Sequence, residues 1–283
     1  MSKITLVFFV IPVIIALIIT VSLIADYSFN QNTNKEVKAF FSDVDNKADI
    51  IQKDDLAGLP VCVQKWLENS QVIGKERIRT VRLKQKAEMR LKEDQRWMPA
   101  DAKQYFTTEK PGFIWMAKVK AAPFVYFAGR DKYAQGNGHM LIKLLSLITV
   151  ADGKGKEINQ GTLLRYLAET VWFPTAALNS YITWEEIDAN SAKATMSYGG
   201  TTASGVFMFN EKGEVVNFKA KRYGEFDGKY RLETWLVLMK DYKEFEGYRI
   251  PAKGEVIWKL KSGDFSWYHF EIKDIEYNKQ FVY

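Results

Sequence analysis

The first hydrophobic stretch of this chain is long enough to cross a membrane. Residues Ile4–Ala25 form an apolar run of 22 residues without a charge. A helix of that length rises about 33 Å, which exceeds a hydrocarbon core about 30 Å thick. A cleaved signal peptide has a shorter apolar region and a small-x-small site, whereas a cut after Ala25 would place Leu23 at the −3 position. The pattern therefore predicts an uncleaved transmembrane anchor.

The charges that flank the run indicate its orientation. The amino terminus and Lys3 are positive, whereas after the run Asp26 and Glu36 balance Lys35 and Lys38. Because positive residues favour the cytoplasmic side, the amino terminus is expected inside. This predicts a single-pass protein of the bacterial inner membrane whose main domain is extracytoplasmic.

The pattern after the anchor divides the chain further. Asp26–Asn34 is polar and predicts a juxtamembrane linker, and Lys35–Lys53 has a weak helical pattern. We therefore expect an anchor at residues 1–25, a linker and helix at 26–58, and a β-rich domain at 59–283. That domain begins with a short helix at Leu59–Asn69, where Pro60 occupies the first turn.

From Arg77 onward, apolar and polar residues alternate with the period of two that is typical of strands. Turn residues separate about a dozen such segments at the short spacing of an antiparallel meander. Trp97–Pro99 is expected at a corner, and Met140–Val150 is predicted as one strand, although its length also allows a helix. A twisted sheet of more than about ten strands must curl or split.

One long amphipathic helix is predicted among these strands, at Glu157–Pro174. Its apolar residues follow helical spacing, Asn159 is its expected N-cap, and the residue before Pro174 disfavours further helix. The stripe consists of Leu164, Leu167, Ala168, Val171 and Trp172. The predicted fold class is therefore mainly β (α+β), with a large curved antiparallel sheet and a helix packed on its concave face.

Composition narrows the functional classes. The net charge is +6 with interspersed signs, and aromatic residues make up 14% of the chain. The charge pattern fits a solvated mixed surface or a basic domain near anionic lipid head groups. The single Cys62 leaves no internal disulfide or cysteine metal cluster, and no nucleic-acid-binding motif is present. No cofactor or metal is predicted.

Catalytic motifs are also absent from the sequence. His139 and His269 are the two histidines, and neither belongs to a metal-binding motif. No GxSxG elbow or phosphate-binding loop occurs. We therefore predict that the protein is not an enzyme. A serine or aspartate within hydrogen-bond reach of a histidine in a cleft would favour the opposite conclusion.

Several stretches resemble a bacterial family known only as a domain of unknown function. The resemblance covers about Leu59–Tyr277, and its most specific motif is RYLAExxWFPTA, which begins at Arg165. Other matching stretches include Pro111–Trp115 and Gly247–Pro251. The family implies no activity.

The last third of the chain is also similar, in its succession of strands and turns, to half-barrel proteins that carry lipoproteins and lipids across the bacterial periplasm. The similar stretches are FNEKGEVVNFKAKRYG, DYKEFEGYRIPAKGEVIW and FEIKDIEYN. This resemblance implies an open antiparallel half-barrel with an acyl-chain cavity. The chain departs from the lipid-anchored members because it keeps its membrane span and lacks their lipobox cysteine.

The candidate ligand-binding residues are aromatic and charged. Arg165 and Glu169 could form a structural pair joined by Arg130 or Asp131, or Arg165 could bind an anionic head group. The aromatic residues could fill the core or line an acyl pocket. The full predicted set is Trp115, Arg130, Tyr133, Arg165, Glu169, Trp172 and Phe173.

The predicted function is therefore that of a membrane-anchored protein which binds a lipid or lipidated ligand in a half-barrel cavity. The alternative is an envelope interaction or scaffold module with a filled core, which would act through a membrane protein partner. A fully filled interior would favour the interaction module.

Overall fold

The computed structural model describes residues 3–45 and 47–283, and it begins with one long helix. Helix α1 spans Lys3–Phe41, so it continues through Asp26–Asn34, where the polar composition predicted a linker. Side chains are described from Ile11 onward, and the terminal charges that predicted the orientation lie outside them. Within the described residues, α1 is the one helix long and apolar enough to cross a membrane.

The sheet that follows contains thirteen strands in the described part of the chain, all in antiparallel pairs. The strands are β1 (Thr80–Met89), β2 (Met98–Thr107), β3 (Gly112–Ala122), β4 (Val125–Ala134), β5 (Asn137–Leu144), β6 (Ile148–Gly153), β7 (Ile182–Asp188), β8 (Ser191–Tyr198), β9 (Thr201–Phe209), β10 (Val215–Phe226), β11 (Lys229–Phe245), β12 (Tyr248–Leu260) and β13 (Gly263–Tyr277). The predicted mainly β fold with one large antiparallel sheet is confirmed.

The order of the strands explains how the sheet becomes a half-barrel. It runs β6-β5-β4-β3-β2-β1-β13-β12-β11-β10-β9-β8-β7, so the first and last strands pair at its centre. Val81 of β1 lies opposite Tyr277 of β13. Because neighbouring strands rotate by about 20–25°, thirteen strands curl round a concave face. The half-barrel predicted from the resemblance is confirmed.

Helix α3 (Lys156–Glu169) joins the two edge strands, β6 and β7, by crossing that concave face. It packs on β5, β9 and β10, and all five residues of the predicted apolar stripe are buried. Two 3₁₀ turns follow, at Thr170–Trp172 and Pro174–Leu178, so the regular helix ends earlier than Pro174. The N-cap is Gly155, not Asn159, whose side chain instead accepts a hydrogen bond from the Gly138 amide at 2.8 Å.

A second short helix closes one part of the concave face. Helix α2 spans Val61–Asn69, close to the predicted Leu59–Asn69. Its Trp66 is fully buried and stacks on Phe207 of β9, with ring centroids 5.9 Å apart. Aromatic stacking of this kind adds to the stabilisation from buried area.

Two glycine turns bring distant strands into contact. Gly136 in the β4–β5 turn and Gly199 in the β8–β9 turn both have positive φ, at +81° and +57°. A Cβ on Gly136 would lie 2.6 Å from the Gly199 Cα. The two backbones therefore touch, and only glycine permits this approach.

Two local predictions from the sequence were wrong. Met140–Val150 is not one strand, because it contains the end of β5, a turn and the start of β6. The Leu147 amide donates to the Leu144 carbonyl at 3.0 Å, which closes that turn. Met98 and Pro99 do not form a corner, since they begin β2.

The second half of α1 packs on the convex face of the sheet. Val37 and Phe41 are buried in a cluster separate from the main core, together with Tyr105, Ile114 and Met116. Two ion pairs flank this contact: Asp26 to Lys118 of β3 at 2.9 Å and Glu36 to Lys132 of β4 at 3.2 Å. The second half of the helix is therefore held against the domain.

Candidate functional site

The concave face encloses a cavity of about 380 Å³ between the sheet and α3. Most of its lining is apolar. The apolar side chains come from β1, β3 to β5, α3, the turn after α3, and β11 to β13, with Leu91 just beyond β1: Met89, Leu91, Trp115, Phe127, Met140, Ile142, Ala168, Val171, Trp172, Trp235, Val237, Met239, Val256, Trp267 and Phe270.

Strand alternation decides which residues reach the cavity. On β4, Phe127, Gly129 and Asp131 line the cavity. On β11, the lining residues are Trp235, Val237 and Met239. This spacing of two is the side-chain period of a strand. On these two strands the concave surface is therefore built from every second residue.

Charged residues lie at the inner part of the cavity, beside α3. The Arg165 guanidinium donates to Asp131 Oδ2 at 2.8 Å and to Glu169 Oε1 at 2.8 Å. Gln104 Nε2 donates to the other Glu169 oxygen, also at 2.8 Å. The guanidinium also lies over the Trp115 ring, 5.1 Å from its centroid, within the range of a cation–π contact. Arg165 is thus held by two carboxylates and one aromatic ring.

Burial sets the electrostatics of this cluster. Burial raises the pKa of Glu169, although Arg165 and Gln104 stabilise its carboxylate. Burial alone would lower the pKa of Arg165, but Glu169 and Asp131 more than offset it, so the pKa of Arg165 is raised. The cluster is therefore a tightly coupled set in which Arg165 stays protonated.

A second arginine, Arg222 of β10, lines the same cavity. Its Nε donates to the Gly161 carbonyl at 3.1 Å, and the guanidinium lies 4.9 Å from the Trp235 ring centroid. Among the described side chains, no carboxylate forms an ion pair with it. Burial and the nearby Arg165 lower the pKa of Arg222 to about 10. Arg222 is thus a cation that an anionic group in the cavity would stabilise.

Four lining indoles have no hydrogen-bond partner for their N–H groups in the described structure. They belong to Trp115, Trp172, Trp235 and Trp267. Buried N–H groups usually find a partner, because an unpaired one costs free energy. A ligand with polar atoms could supply such partners.

The predicted site residues divide into two groups. Trp115, Arg165, Glu169 and Trp172 line the cavity together. Asp131, not Arg130, joins the Arg165–Glu169 pair. The grouping of four predicted residues round one space gives them a shared environment, but their binding role stays a prediction.

The other three predicted residues lie elsewhere. Tyr133 and Phe173 are fully buried in the core, where the Phe173 ring packs 4.6 Å from that of Phe106. Arg130 lies on the convex side, 3.5 Å from Glu36 of α1. It therefore belongs to the α1 contact.

Sequence reasoning missed Arg222 and Gln85 as cavity residues. Gln85 follows a register shift between β1 and β13, and it accepts a hydrogen bond from the Tyr268 hydroxyl at 3.2 Å. Arg222 is in a strand segment, KAKRYG, whose charged residues are expected to face solvent. The aromatic neighbours that flank Arg222 come from other strands, so nothing local marks it.

The histidines lie outside the cavity lining. His269 of β13 contacts Glu88 through Nδ1 at 2.8 Å and Ser266 through Nε2 at 3.2 Å, in the order of a serine–histidine–acid triad. The same Nε2 lies 3.6 Å from Glu255. The group is on the other face of β13 from Phe270, which lines the cavity, so it does not meet the requirement for a pair in a cleft. His139 meets that requirement in part, because it lines a separate pocket and its Nε2 lies 2.7 Å from Asp152. Its Nδ1 is 3.0 Å from the Arg130 guanidinium, so both ring nitrogens are already engaged.

The described residues contain no group of three or more His, Cys, Asp or Glu side chains that could hold a metal ion. The site is instead an apolar cavity with a charged inner part. Fold and site together define a half-barrel protein with an internal apolar cavity and an N-terminal apolar helix.

Residues 49–270 match the family described as "Family of unknown function (DUF6544)". The chain belongs to this family, which confirms the resemblance to a domain of unknown function. Among curated proteins, none matches this chain.

Solved structures of similar fold come from other families. A LolA superfamily protein from Nitrosomonas europaea has 11% identity and a TM-score of 0.44, with 77% of this chain and 94% of that chain covered. A putative outer membrane lipoprotein-sorting protein domain from Vibrio parahaemolyticus has 7% identity and a TM-score of 0.39, with 77% and 92% covered. A DUF1329 family protein from Desulfovibrio piger has 11% identity and a TM-score of 0.43, with 78% and 94% covered.

Proposed function

We propose that this protein binds a lipid or lipidated ligand in the half-barrel cavity while α1 anchors it in the membrane. The observation that carries the proposal is the cavity itself. Its volume of about 380 Å³ lies within the range of about 300–1,000 Å³ that is usual for small-molecule sites. Its lining is mostly aliphatic and aromatic, which favours an acyl chain over a polar ligand.

The charged inner part adds a polar requirement to the ligand. Arg165 is fully engaged by Asp131 and Glu169. Arg222 has no carboxylate partner among the described residues, so it is the better candidate for an anionic group. A guanidinium binds phosphate or carboxylate through paired hydrogen bonds. The ligand class is therefore an amphiphile with apolar chains and a negatively charged or strongly polar group.

The cavity also separates this proposal from the interaction module. The module was expected to have a filled core, whereas the described side chains leave open space under α3. Trp66, Tyr166 and Phe173, which belong to the core beneath α2 and α3, are fully buried and do not line that space. The cavity is thus an addition to the core that a scaffold would not need.

The localisation follows from α1 and the charge rule. We place the protein in the bacterial inner membrane as a single-pass protein, with the half-barrel outside the cytoplasm. The helix from Ile11 onward is apolar enough to span, and its described apolar side chains are largely exposed. Such a surface is stable in lipid and unstable in water.

A photoactivatable lipid tests the proposal directly. The full chain would be reconstituted in vesicles that contain a phospholipid with a diazirine on its acyl chain, irradiated and digested. We expect cross-links on the cavity residues Phe127, Trp235 or Val256, in addition to those on α1. The α1 cross-links are the internal control, because they report contact with bulk lipid. Cross-links confined to α1 would contradict the proposal.

A further inference from the structure

The β3–β4 turn carries a large apolar side chain where turns normally carry glycine. This turn consists of Pro123 and Phe124, between the paired residues Ala122 and Val125. Phe124 is 88% exposed and has φ +62°. A bulky residue in the left-handed region is unfavourable, and an exposed aromatic ring is a second cost in water. Neither cost is offset within the domain.

The neighbouring β5–β6 turn has the same character. Leu145 and Ser146 have φ of +52° and +59°, a pair of positive values for which Asn-Gly is the usual choice. Beyond them, Ile148 is 60% exposed and Val150 is 50% exposed. Phe124, Leu147, Ile148 and Val150 are exposed and lie in or next to these two turns, at the same end of β4, β5 and β6, and we call them the tip patch.

The end of the apolar run in α1 lies beside these turns. The Ser22 hydroxyl is 3.1 Å from the Tyr126 hydroxyl and donates to the Leu145 carbonyl at 3.1 Å. Four residues further on, Asp26 accepts a hydrogen bond from the Ser146 hydroxyl at 3.0 Å. The β5–β6 turn and the start of β4, next to the β3–β4 turn, are therefore attached to α1 at the point where it would leave the membrane.

The spacing of the contacts between α1 and β4 shows which residues of α1 lie at the same level as the tip patch. Ser22 and Glu36 contact Tyr126 and Lys132 of β4, respectively. Fourteen helical residues rise about 21 Å and six strand residues about 20 Å, so α1 and β4 run nearly parallel. Phe124 lies two residues before Tyr126, or about 7 Å further along the same direction. That distance reaches the level of Ile18, inside the apolar run.

We infer that the tip patch inserts into the same membrane leaflet that α1 leaves, so that the half-barrel is seated on the lipid surface. This inference rests on the proposed anchoring of α1. The partner is a lipid surface, because α1 itself places the patch at the depth of its apolar residues. Tyr126 and Tyr27, the latter 67% exposed, lie near the boundary, where tyrosine is enriched in membrane proteins.

Insertion would hold one end of the cavity against the membrane. Phe127 and Ile142, which line the cavity, are within a few residues of the two turns, and Met89 is at the same end of the central strands. The charged residues Asp131 and Arg165 lie further from the turns. An amphiphile could therefore pass between the leaflet and the cavity without crossing open water.

Depth-dependent quenching tests this inference on the full chain in lipid nanodiscs. In a Cys62→Ala background, single cysteines at Phe124 and Ile148 would carry an environment-sensitive fluorophore. Lys212, in the exposed β9–β10 turn, gives a matched control position. We expect loss of fluorescence at both tip positions with lipids spin-labelled near the carbonyl end of the acyl chain, and no loss at Lys212. Circular dichroism checks that each labelled variant is folded.

The inference fails if aqueous iodide quenches the tip labels and spin-labelled lipid does not. It also fails if both quench the tip labels weakly, because the tip patch would then be covered by protein. A label at Ile18 reports the anchor itself: without lipid quenching there, the anchoring and the inference fail together. Lipid quenching at the tips without cavity cross-links would overturn the proposed function and leave this inference standing.

Discussion

Arg165 of α3 and Asp131 of β4 form an ion pair of 2.8 Å that ties the crossing helix to the concave sheet. Glu169, one turn along α3, shares the same guanidinium at 2.8 Å. Both carboxylates are largely shielded from water. The pair therefore sets the position of α3 over the cavity as well as the charge inside it.

The first prediction concerns the stability that this cluster provides. Arg165→Ala leaves two shielded carboxylates without their cation, so we expect the free energy of unfolding to fall by about 3 kcal/mol. The double variant Arg165→Met with Glu169→Gln removes the charge of both partners, and its free energy of unfolding should fall clearly less. Thermal melting of the full chain in detergent, followed by circular dichroism, measures both. A double variant that loses as much stability as Arg165→Ala, or more, would show that the residues do not act as a coupled group.

The second prediction concerns the contact between two glycine turns. Gly199→Ala adds a Cβ that meets the Gly136 backbone, and φ at Gly199 is +57°. Gly200→Ala is the matched control, because φ is +78° and its Cβ would meet nothing within 4 Å. The control is expected to cost about 1 kcal/mol from backbone strain alone. Gly199→Ala should melt at a distinctly lower temperature than Gly200→Ala, and equal melting temperatures would refute the contact.

The third prediction concerns the choice of ligand. Arg222→Met keeps the apolar packing against Trp235 but removes the unpaired cation. We expect the variant to lose about tenfold of its affinity for anionic lipid relative to zwitterionic lipid, which corresponds to about 1.4 kcal/mol. Competitive binding with the two lipid classes measures the ratio. The melting temperature, measured alongside, checks that loss of the hydrogen bond to the Gly161 carbonyl has not unfolded the variant. An unchanged lipid preference would exclude Arg222 as the head-group residue.

Much of the fold was predictable because its patterns are local. The apolar stripe that begins at Leu164 and the alternation from Val81 onward both follow from the period of one element. The β5–β6 turn was missed because Leu145 and Ser146 carry no glycine, proline or asparagine signal. Turn prediction depends on those residue types, so an apolar turn is invisible in the sequence.

The site was only partly predictable, because it is made across the sheet. Adjacent strand residues face opposite sides, so only one of Arg130 and Asp131 could reach Arg165, and alternation does not say which. The docking of α1 depends on contacts such as Ser22 with Tyr126, which are 104 residues apart. Arg222 reaches the cavity for the same reason, through strands that only the closed sheet brings together.

Ligand occupancy of the cavity is the most direct test of the proposed function. Native mass spectrometry of the full chain, released from detergent and combined with lipid extraction, would be compared for two variants. Val237→Phe fills the cavity, whereas Leu238→Phe introduces a phenyl ring on the opposite face of β11. We predict a bound lipid of defined mass in the native chain and in Leu238→Phe, and its loss in Val237→Phe. Equal lipid adducts in all three proteins, or none in any, would contradict the proposal.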